Sequence, residues 1–371
     1  MSRRLLFLLS TFVPAGGTGC LRMVKWIKYL DQMGWQCDVV TGTTESPEYR
    51  DDSLVEDVPD SCNIYRMDYS GMFPAVTYRV VREVRKLASE NSYRCLITTS
   101  PEDRNHVFGY VASVFSGMPW IADLRDPIEG KGQFLKRSVL KRANAVTTAW
   151  PVDDILKPEI AQYQETRWIP NGYDLDDFQS ANSTREHSRV TFLHTGSLHA
   201  PYQNPLPVLE AVRVLRDRGD IRDTDCEFRF IGAIIGDELE NTVRDFLSEH
   251  NLEELVTIKP FVDHMQSIRE MKQADVGMIF KNRPSLSYKF CEYLGAGLPI
   301  LIYSSGDSPM EEFSRGEDSI RFVPWGDQDP LIESINEYVD KDERVEPDQS
   351  IKERFSYETI RDQIYDVLES F

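Results

Sequence analysis

The feature that most constrains this chain is an alternation of short apolar runs with amphipathic helical stretches, and it occurs twice. Arg4–Ser10 reads as a strand, FVPAGGTG as a glycine-rich turn, and CLRMVKWIKYLDQMGW as a helix. In that helix Met23, Val24, Ile27 and Leu30 recur at helical spacing. Gly34 ends it and CDVVTG (37–42) is the next strand, which completes a βαβ unit. CLITTS (95–100), WIADLRD (120–126) and AVTTAW (145–150) follow as strands, with VFGYVASVF and a basic helical segment between them. Such alternation demands a parallel sheet covered by helices, because each crossover helix must bury its apolar stripe against the strands.

After PNGYDLDDF the polar stretch SANSTREHSR (180–189) reads as a linker, and the alternation then restarts. VTFLHTGS (190–197), CEFRFIG (226–232), LVTIKPFV and DVGMIF (275–280) are strands. Between them lie the helices LPVLEAVRVLRDRG, ELENTVRDFLSEHN and HMQSIREMKQA. At 371 residues the chain exceeds a usual single core, and two α/β domains of similar size are the expectation. DKDERVEPDQ (340–349) reads as a solvated connection. In the tail, Ser356 is a candidate N-cap, and Ile360, Ile364, Val367, Leu368 and Phe371 line one face. A helix so late in the chain must find a partner surface.

Charge and cysteine usage exclude several classes. The net charge of -19 argues against a broad nucleic-acid surface, which needs clustered Lys and Arg. The six cysteines (20, 37, 62, 95, 226, 291) show no CxxC and no metal-ligand spacing, as expected of reduced, largely buried thiols. MSRRLLFLLSTF has the flavour of a signal peptide, but its apolar run is short and flows into a glycine turn, so a first strand is the better reading. No stretch approaches the ~20 apolar residues of a membrane span.

One stretch, SLSYKFCEYLGAGLPIL (285–301), points to chemistry. It follows DVGMIF at the carboxyl end of a strand, where open parallel sheets bind ligands. The first N–H groups of its helix, near Ser287 and Tyr288, carry a partial positive charge that suits a diphosphate, and Lys289 adds a full one. Glu292 shares a face with Lys289 and could accept hydrogen bonds from a ribose; a surface Lys–Glu pair is the alternative.

KFCEYLGAGLPIL resembles the donor-site helix of family-4-type retaining glycosyltransferases, and four further segments match that family in order. FVPAGGTGCLR (12–22) resembles its N-terminal glycine loop, and PWIADLRDP (119–127) a Pro-Trp-x-x-Asp-x-Arg-Asp-Pro element of one subgroup. IPNGYDLDDF (169–178) is similar to its hinge motif, and FLHTGSLH (192–199) to the opening of its second domain. The resemblance implies a GT-B fold: two Rossmann-like doubly wound domains facing a cleft. The acceptor-side domain would span 1–182, completed by a tail helix (354–371) crossing back to it, and the donor domain 183–353.

The implied activity is transfer of a sugar, with retention, from a UDP- or GDP-type nucleotide-sugar to the hydroxyl of a glycan or lipid-linked acceptor. Neither metal nor other cofactor is expected. Lys289 with the helix start at Ser287 and Tyr288 would stabilise the departing diphosphate. Gly16 and Gly17, Gly196 and Ser197 would also line the donor, with Glu292 on its ribose. Asp126 would orient the acceptor hydroxyl or stabilise the sugar, and Arg125 would hold a phosphate; a structural Arg–Asp pair is the alternative. His106 is a further catalytic candidate or a structural histidine. Asp123 and Arg22 are acceptor-side candidates, Arg22 being equally suited to capping a local carboxylate. Asn171 and Gly172 would form the hinge.

The family's Glu-x7-Glu pair is incomplete, since Pro284 stands where the first Glu would fall; a basic residue usual after Gly196 is also missing. Lys281 or Arg283 would substitute. A nucleotide-sugar epimerase, or a glycan-assembly partner that has lost chemistry, are alternatives on the same frame. The implied location is cytoplasmic, and lipid-linked acceptors imply peripheral contact with the inner face of the membrane. Lys131, Lys136, Arg137, Lys141 and Arg142 are the membrane-facing candidates, a solvated helix face being their other reading.

Overall fold

A computed structural model describes residues 2–43, 49–100, 103–125, 133–151, 165–183, 189–340 and 344–370. The chain divides into two units, Met1–Asn171 with Tyr357–Phe371, and Gly172–Ser356.

The first unit is built on strands β1 (Arg4–Leu9), β2 (Gln36–Gly42), β3 (Ile64–Met67), β4 (Cys95–Thr99), β5 (Trp120–Leu124), β6 (Ala145–Thr148) and β7 (Glu165–Trp168). They form one sheet in the order β3-β2-β1-β4-β5-β6-β7, and every pairing is parallel. Leu5 to Leu9 are almost fully buried because helices cover both faces, which is why β1 reads as a continuous apolar run rather than an alternating one. On one face Leu6 and Leu8 of β1 meet Val76, Val80, Val84 and Leu87 of helix Phe73–Glu90, together with Phe108 of helix Asp103–Ser116. Each of those buried side chains contributes roughly 1.5–3 kcal/mol.

The second unit repeats the plan. Its strands are β8 (Val190–Thr195), β9 (Leu198–His199), β10 (Cys226–Ile231), β11 (Ile234–Ile235), β12 (Val256–Lys259), β13 (Val276–Lys281), β14 (Ile300–Ser304) and β15 (Ile320–Pro324). Six of them form a sheet in the order β12-β10-β8-β13-β14-β15, while β9 and β11 pair separately. Both sheets therefore reverse direction beside their first strand, the arrangement of a doubly wound α/β fold. Three strands (β3, β7 and β15) and the helices Phe73–Glu90 and Gln328–Asp340 add to the elements expected from the sequence. β3 and β7 are sheet edges with mostly half-buried residues, so little apolar alternation marks them.

The boundary falls at Asn171/Gly172, earlier than the expected 182/183. The segment in between packs on the second unit. A Cβ on Gly295 would lie 2.6 Å from the Tyr173 ring and 2.8 Å from Phe178, and Lys272 Nζ donates to the carbonyls of Phe178 (3.0 Å) and Ala181 (2.6 Å). The tail helix, Tyr357–Glu369, belongs to the first unit. Tyr357 stacks on Tyr29 at 5.6 Å, and Ile360, Ile364, Val367 and Leu368 are buried; Phe371 lies outside the described residues.

The thiols of all six cysteines are free, five of them buried. Among the described residues no helix is long and apolar enough to cross a membrane.

Candidate functional site

In the second unit the reversal point lies between β8 and β13. The carboxyl ends of these strands bring together three segments: the turn at Gly196–Ser197, the residues after Lys281, and the start of helix Tyr288–Gly295. Gly196 sits at φ +105°, and its N–H donates to the Ile231 carbonyl at 2.7 Å. A Cβ on Gly196 would lie 2.8 Å from Nζ of Lys289. A Cβ on Gly232 (φ +149°) would lie 2.3 Å from the Gly196 carbonyl oxygen. Two glycines from neighbouring strand ends thus allow the lysine to lie directly against the turn. Gly196 carried a sequence signal; Gly232 did not, because only the packing of β10 beside β8 gives it meaning.

Lys289 Nζ donates to Oε1 of Gln203 at 3.2 Å, and the amide Nε2 of Gln203 lies 3.1 Å from Nε2 of His199. Burial, and then the nearby positive charge of Lys281, lower the Lys289 ammonium to about 8, against a smaller raising effect of Glu292. The same environment holds the histidines neutral. Burial first, then Lys289, takes His194 well below its usual value, while burial, Lys281 and Lys289 lower His199. Arg283 stacks over the Tyr202 ring at 5.4 Å. Lys281, Arg283 and Lys289 therefore gather at one end of the sheet, an arrangement that favours an anion.

Ser287 caps helix Tyr288–Gly295 in extended conformation (φ -72°, ψ 141°) without a side-chain capping bond. Ser287 and Tyr288 are buried, and the N–H groups of a first helical turn carry a partial positive charge. Glu292 is also buried; its Oε1 lies 3.4 Å from Nδ1 of His264, whose Nε2 lies 2.8 Å from Asp177 Oδ2. His264 and Asp177 escaped the sequence reading because neither lies in the motif that contains Glu292. Tyr293, also overlooked, anchors the helix: its hydroxyl accepts from the Thr195 N–H (3.0 Å) and donates to the Leu193 carbonyl (3.1 Å). Its ring occupies the place of a side chain at Gly277, where a Cβ would come within 2.4 Å.

In the first unit the glycine loop follows β1. Gly17 (φ +92°) is the N-cap of helix Thr18–Gln32, and no atom lies within 4 Å of the place a Cβ on it would take. Gly16 departs from expectation, since its N–H donates to the Tyr49 carbonyl at 2.8 Å and is not offered to a ligand. Arg125 follows β5; its backbone N–H donates to Ser100 Oγ (2.8 Å) and its Nε to the Ser100 carbonyl (2.5 Å). The guanidinium then lies over Gly19, where a Cβ would approach Nη1 within 2.6 Å. Arg125 and the helix start are thus neighbours at the carboxyl edge of the sheet. Asp126 lies outside the described residues.

Three candidates prove to be interior. Arg22 and Asp123 are fully buried, and all five guanidinium hydrogens of Arg22 are used. Nε and Nη2 donate to Asp123, Nη2 also to the Ile169 carbonyl, and Nη1 to the Pro170 carbonyl and to Oδ1 of Asn171. Asp123 accepts further bonds from Thr99 (2.8 Å) and Thr147 (2.8 Å). Burial alone would raise the Asp123 carboxyl, but the Arg22 charge and these hydrogen bonds outweigh it and lower the value. Neither residue has a group left for an acceptor. Arg22 serves the second of its two readings, capping a carboxylate, and it ties Asn171, the last residue of the first unit, to that unit's core. Gly172 opens the second unit.

His106 is likewise buried, 2.9 Å through Nδ1 from the Thr98 hydroxyl, which accepts from the Trp120 indole N–H at 2.8 Å. It belongs to the packing behind β4. Of the five basic residues considered for a membrane face, Lys141 and Arg142 are exposed and Arg137 half-buried; Lys131 and the Lys136 side chain lie outside the description.

Residues 189–341 match the family model described as Glycosyl transferases group 1. No curated protein sequence matches the chain significantly. Among solved structures, HepE from Anabaena, in complex with UDP and glucose, is similar with a TM-score of 0.76 at 15% identity over 99% of this chain and 100% of its own. Sucrose-phosphate synthase from Thermosynechococcus elongatus gives 0.74 at 15% identity, over 99% and 98%. UDP-GlcNAc 2-epimerase from Methanocaldococcus jannaschii gives 0.61 at 12%, over 99% and 100%. Identities this low establish the fold, which is GT-B.

Proposed function

We infer that this chain, which has the GT-B fold and a second unit matching the group 1 glycosyl transferases, is a glycosyltransferase of defined stereochemistry and polarity. It takes a sugar from a UDP- or GDP-type nucleotide-sugar and passes it, with retention, to a hydroxyl of a glycan or lipid-linked glycan. The observation that carries the reading is Lys289, lying against Gly196 at the start of helix Tyr288–Gly295. Breaking the glycosidic bond leaves negative charge on the departing diphosphate, and groups already oriented toward that charge lower the barrier. Lys289, the N–H groups at Ser287–Tyr288 and the neighbouring Lys281 and Arg283 are assigned that work. Titration of Lys289 at about 8 suits it, because an arriving diphosphate draws the ammonium toward its charged form.

Glu292, supported by His264, is assigned the ribose hydroxyls, and Gly196 and Ser197 the close backbone approach. Arg125 with Gly17 and the following helix start is assigned a phosphate of acceptor or donor, and Asp126 the acceptor hydroxyl. Asn171 and Gly172 are assigned the hinge. Arg22, Asp123 and His106 are left to the scaffold.

The test is incubation with a panel of UDP- and GDP-sugars, reading thermal shift, nucleotide release and transfer to added glycans. Release of the nucleoside diphosphate that depends on Lys289 supports transfer. Absence of shift, hydrolysis and transfer with every donor overturns it. An epimerase would interconvert the donor sugar without acceptor and without net transfer; that reading draws on fold similarity alone, whereas the family match favours transfer. A partner without chemistry would bind donor and never turn it over.

A further inference from the structure

An ammonium donates hydrogens and accepts none, so Lys289 dictates which atoms face each other around it. The atom of Gln203 that meets Nζ at 3.2 Å is the amide oxygen Oε1, which leaves the amide N–H groups to face Nε2 of His199 at 3.1 Å. Two hydrogens cannot share that second gap. Nε2 of His199 therefore accepts, and the proton of the neutral ring sits on Nδ1. A hydrogen bond between His199 and the Ala200 backbone acts on the ring in the raising direction, as a carbonyl accepting from Nδ1–H does. The donors thus run one way, from Lys289 to Gln203 and from Gln203 to His199.

The backbone brings the two side chains together. The N–H of His199 donates to the Gln203 carbonyl at 3.1 Å, and the N–H of Gln203 to the His199 carbonyl at 2.8 Å, which closes the loop 199–203. Residues paired in this way carry their side chains on one face. The loop is also tied at both sides. Leu198 N–H donates to the Ala233 carbonyl (2.9 Å) where β9 meets β11, and Asn282 N–H donates to the Tyr202 carbonyl (2.8 Å) just after β13. The charges acting on the His199 ring are Lys281, from β13, and Lys289, from the helix; Tyr202 meets the ring edge-on at 6.3 Å, with Arg283 over the Tyr202 face.

We propose that His199 and Gln203 are positioning residues for Lys289: the neutral Nδ1–H form of His199 sets the amide of Gln203, and that amide aims the ammonium at the donor diphosphate. The inference rests on the reading of Lys289 as the cation at that diphosphate. Protonation of His199 places a hydrogen on Nε2. The amide must then turn its oxygen toward the imidazolium, and its N–H groups face the ammonium, donor against donor. Acid therefore disarms the site while Lys289 itself stays charged. Burial, and then the charges of Lys281 and Lys289, hold the ring below its ordinary value, so the relay is intact near neutral pH.

Nitrogen NMR of the full-length protein with isotopically labelled histidine reads the ring without any substrate, His199→Phe assigning the signal. A neutral ring protonated at Nδ1 and titrating below the ordinary histidine value of ~6.5 is expected; a ring protonated at Nε2 overturns the proposal. Nucleotide release from UDP- and GDP-sugars, followed against pH beside thermal unfolding, is the second readout. Gln203→Met should lower kcat about 10-fold or more with an unchanged melting temperature. Gln203→Glu offers acceptors to both neighbours and suits a protonated His199. It should carry activity to lower pH than the wild type, with a higher KM for the anionic donor. Wild-type kcat in Gln203→Met, or an acid limb unmoved by Gln203→Glu, overturns the relay. Loss of activity in Lys289→Ala beside an unaffected Gln203→Met sinks the relay alone, whereas full activity of Lys289→Ala removes the reading on which it rests.

Discussion

Lys289 donates to Gln203 across 3.2 Å, and Gln203 in turn meets His199 at 3.1 Å. The ammonium is thereby held at the carboxyl ends of β8 and β13 before any ligand arrives, and the glycine backbone at Gly196 leaves it room. A positive group held in place in this manner has no reorganisation to undergo when charge develops beside it, which is the physical basis of the predictions about the second unit.

Replacing Lys289 by Ala should lower turnover by about 100-fold or more, in line with the loss of a preorganised charge at a reacting phosphate. The fold should persist, since removal of a partly desolvated ammonium relieves a cost. Steady-state kinetics beside thermal unfolding checks this. Equal loss of stability and activity would return Lys289 to a structural role.

UDP affinity should depend on pH through the same group. Lys289 is charged below about 8 and neutral above it. Binding should hold steady toward neutral pH and weaken as pH rises through that value, and Lys289→Ala should flatten the alkaline limb. For the ligand-free protein the sign is opposite. A lysine whose folded value lies below its unfolded one stabilises only at high pH, and this contribution is lost as pH falls toward 8. Lys289→Met should therefore raise the melting temperature of ligand-free protein near neutrality. Calorimetric titration and pH-dependent melting read both effects.

Asp123→Ala should destabilise the first unit by about 3–5 kcal/mol, because it strands the buried Arg22 charge. The double replacement Arg22→Met/Asp123→Leu should recover much of that loss, apart from the carbonyls of Ile169 and Pro170 left without their donor. Denaturant unfolding of the three variants tests the claim that this pair is scaffold. A single variant of normal stability and abolished acceptor use would refute it.

Gly232→Ala and Gly19→Ala should differ in kind. At Gly232 a methyl would meet the Gly196 backbone at 2.3 Å, so the whole turn must shift, and both donor affinity and stability should fall. At Gly19 it meets only the end of the Arg125 side chain, which can swing aside. Stability should change little there, while any reaction step that uses Arg125 suffers. Melting temperature and turnover measured together separate the two cases.

Periodicity made much of the architecture legible. The β1, β4 and β13 runs are largely apolar because central parallel strands are covered on both faces, and the linear pattern records that directly. Edge strands β3 and β7 are half-wet and leave no such record. At the site, Ser287, Tyr288, Lys289 and Glu292 could be named because they share one short helix following one strand. Gln203, Gly232, His264 and Tyr293 could not, since their significance comes from segments far apart in the chain.

Sequence by itself determined the two doubly wound domains and the cationic helix start in the second, because both follow from local spacing. Tertiary structure alone decided which charges are spent. Arg22, Arg125 and Lys289 look alike in the chain, yet one has all five donors engaged in the interior, one lies over Gly19, and one is held against the Gly196 turn. The reason is that desolvation and pairing depend on neighbours in space, and no linear spacing specifies those for a side chain that reaches across a sheet.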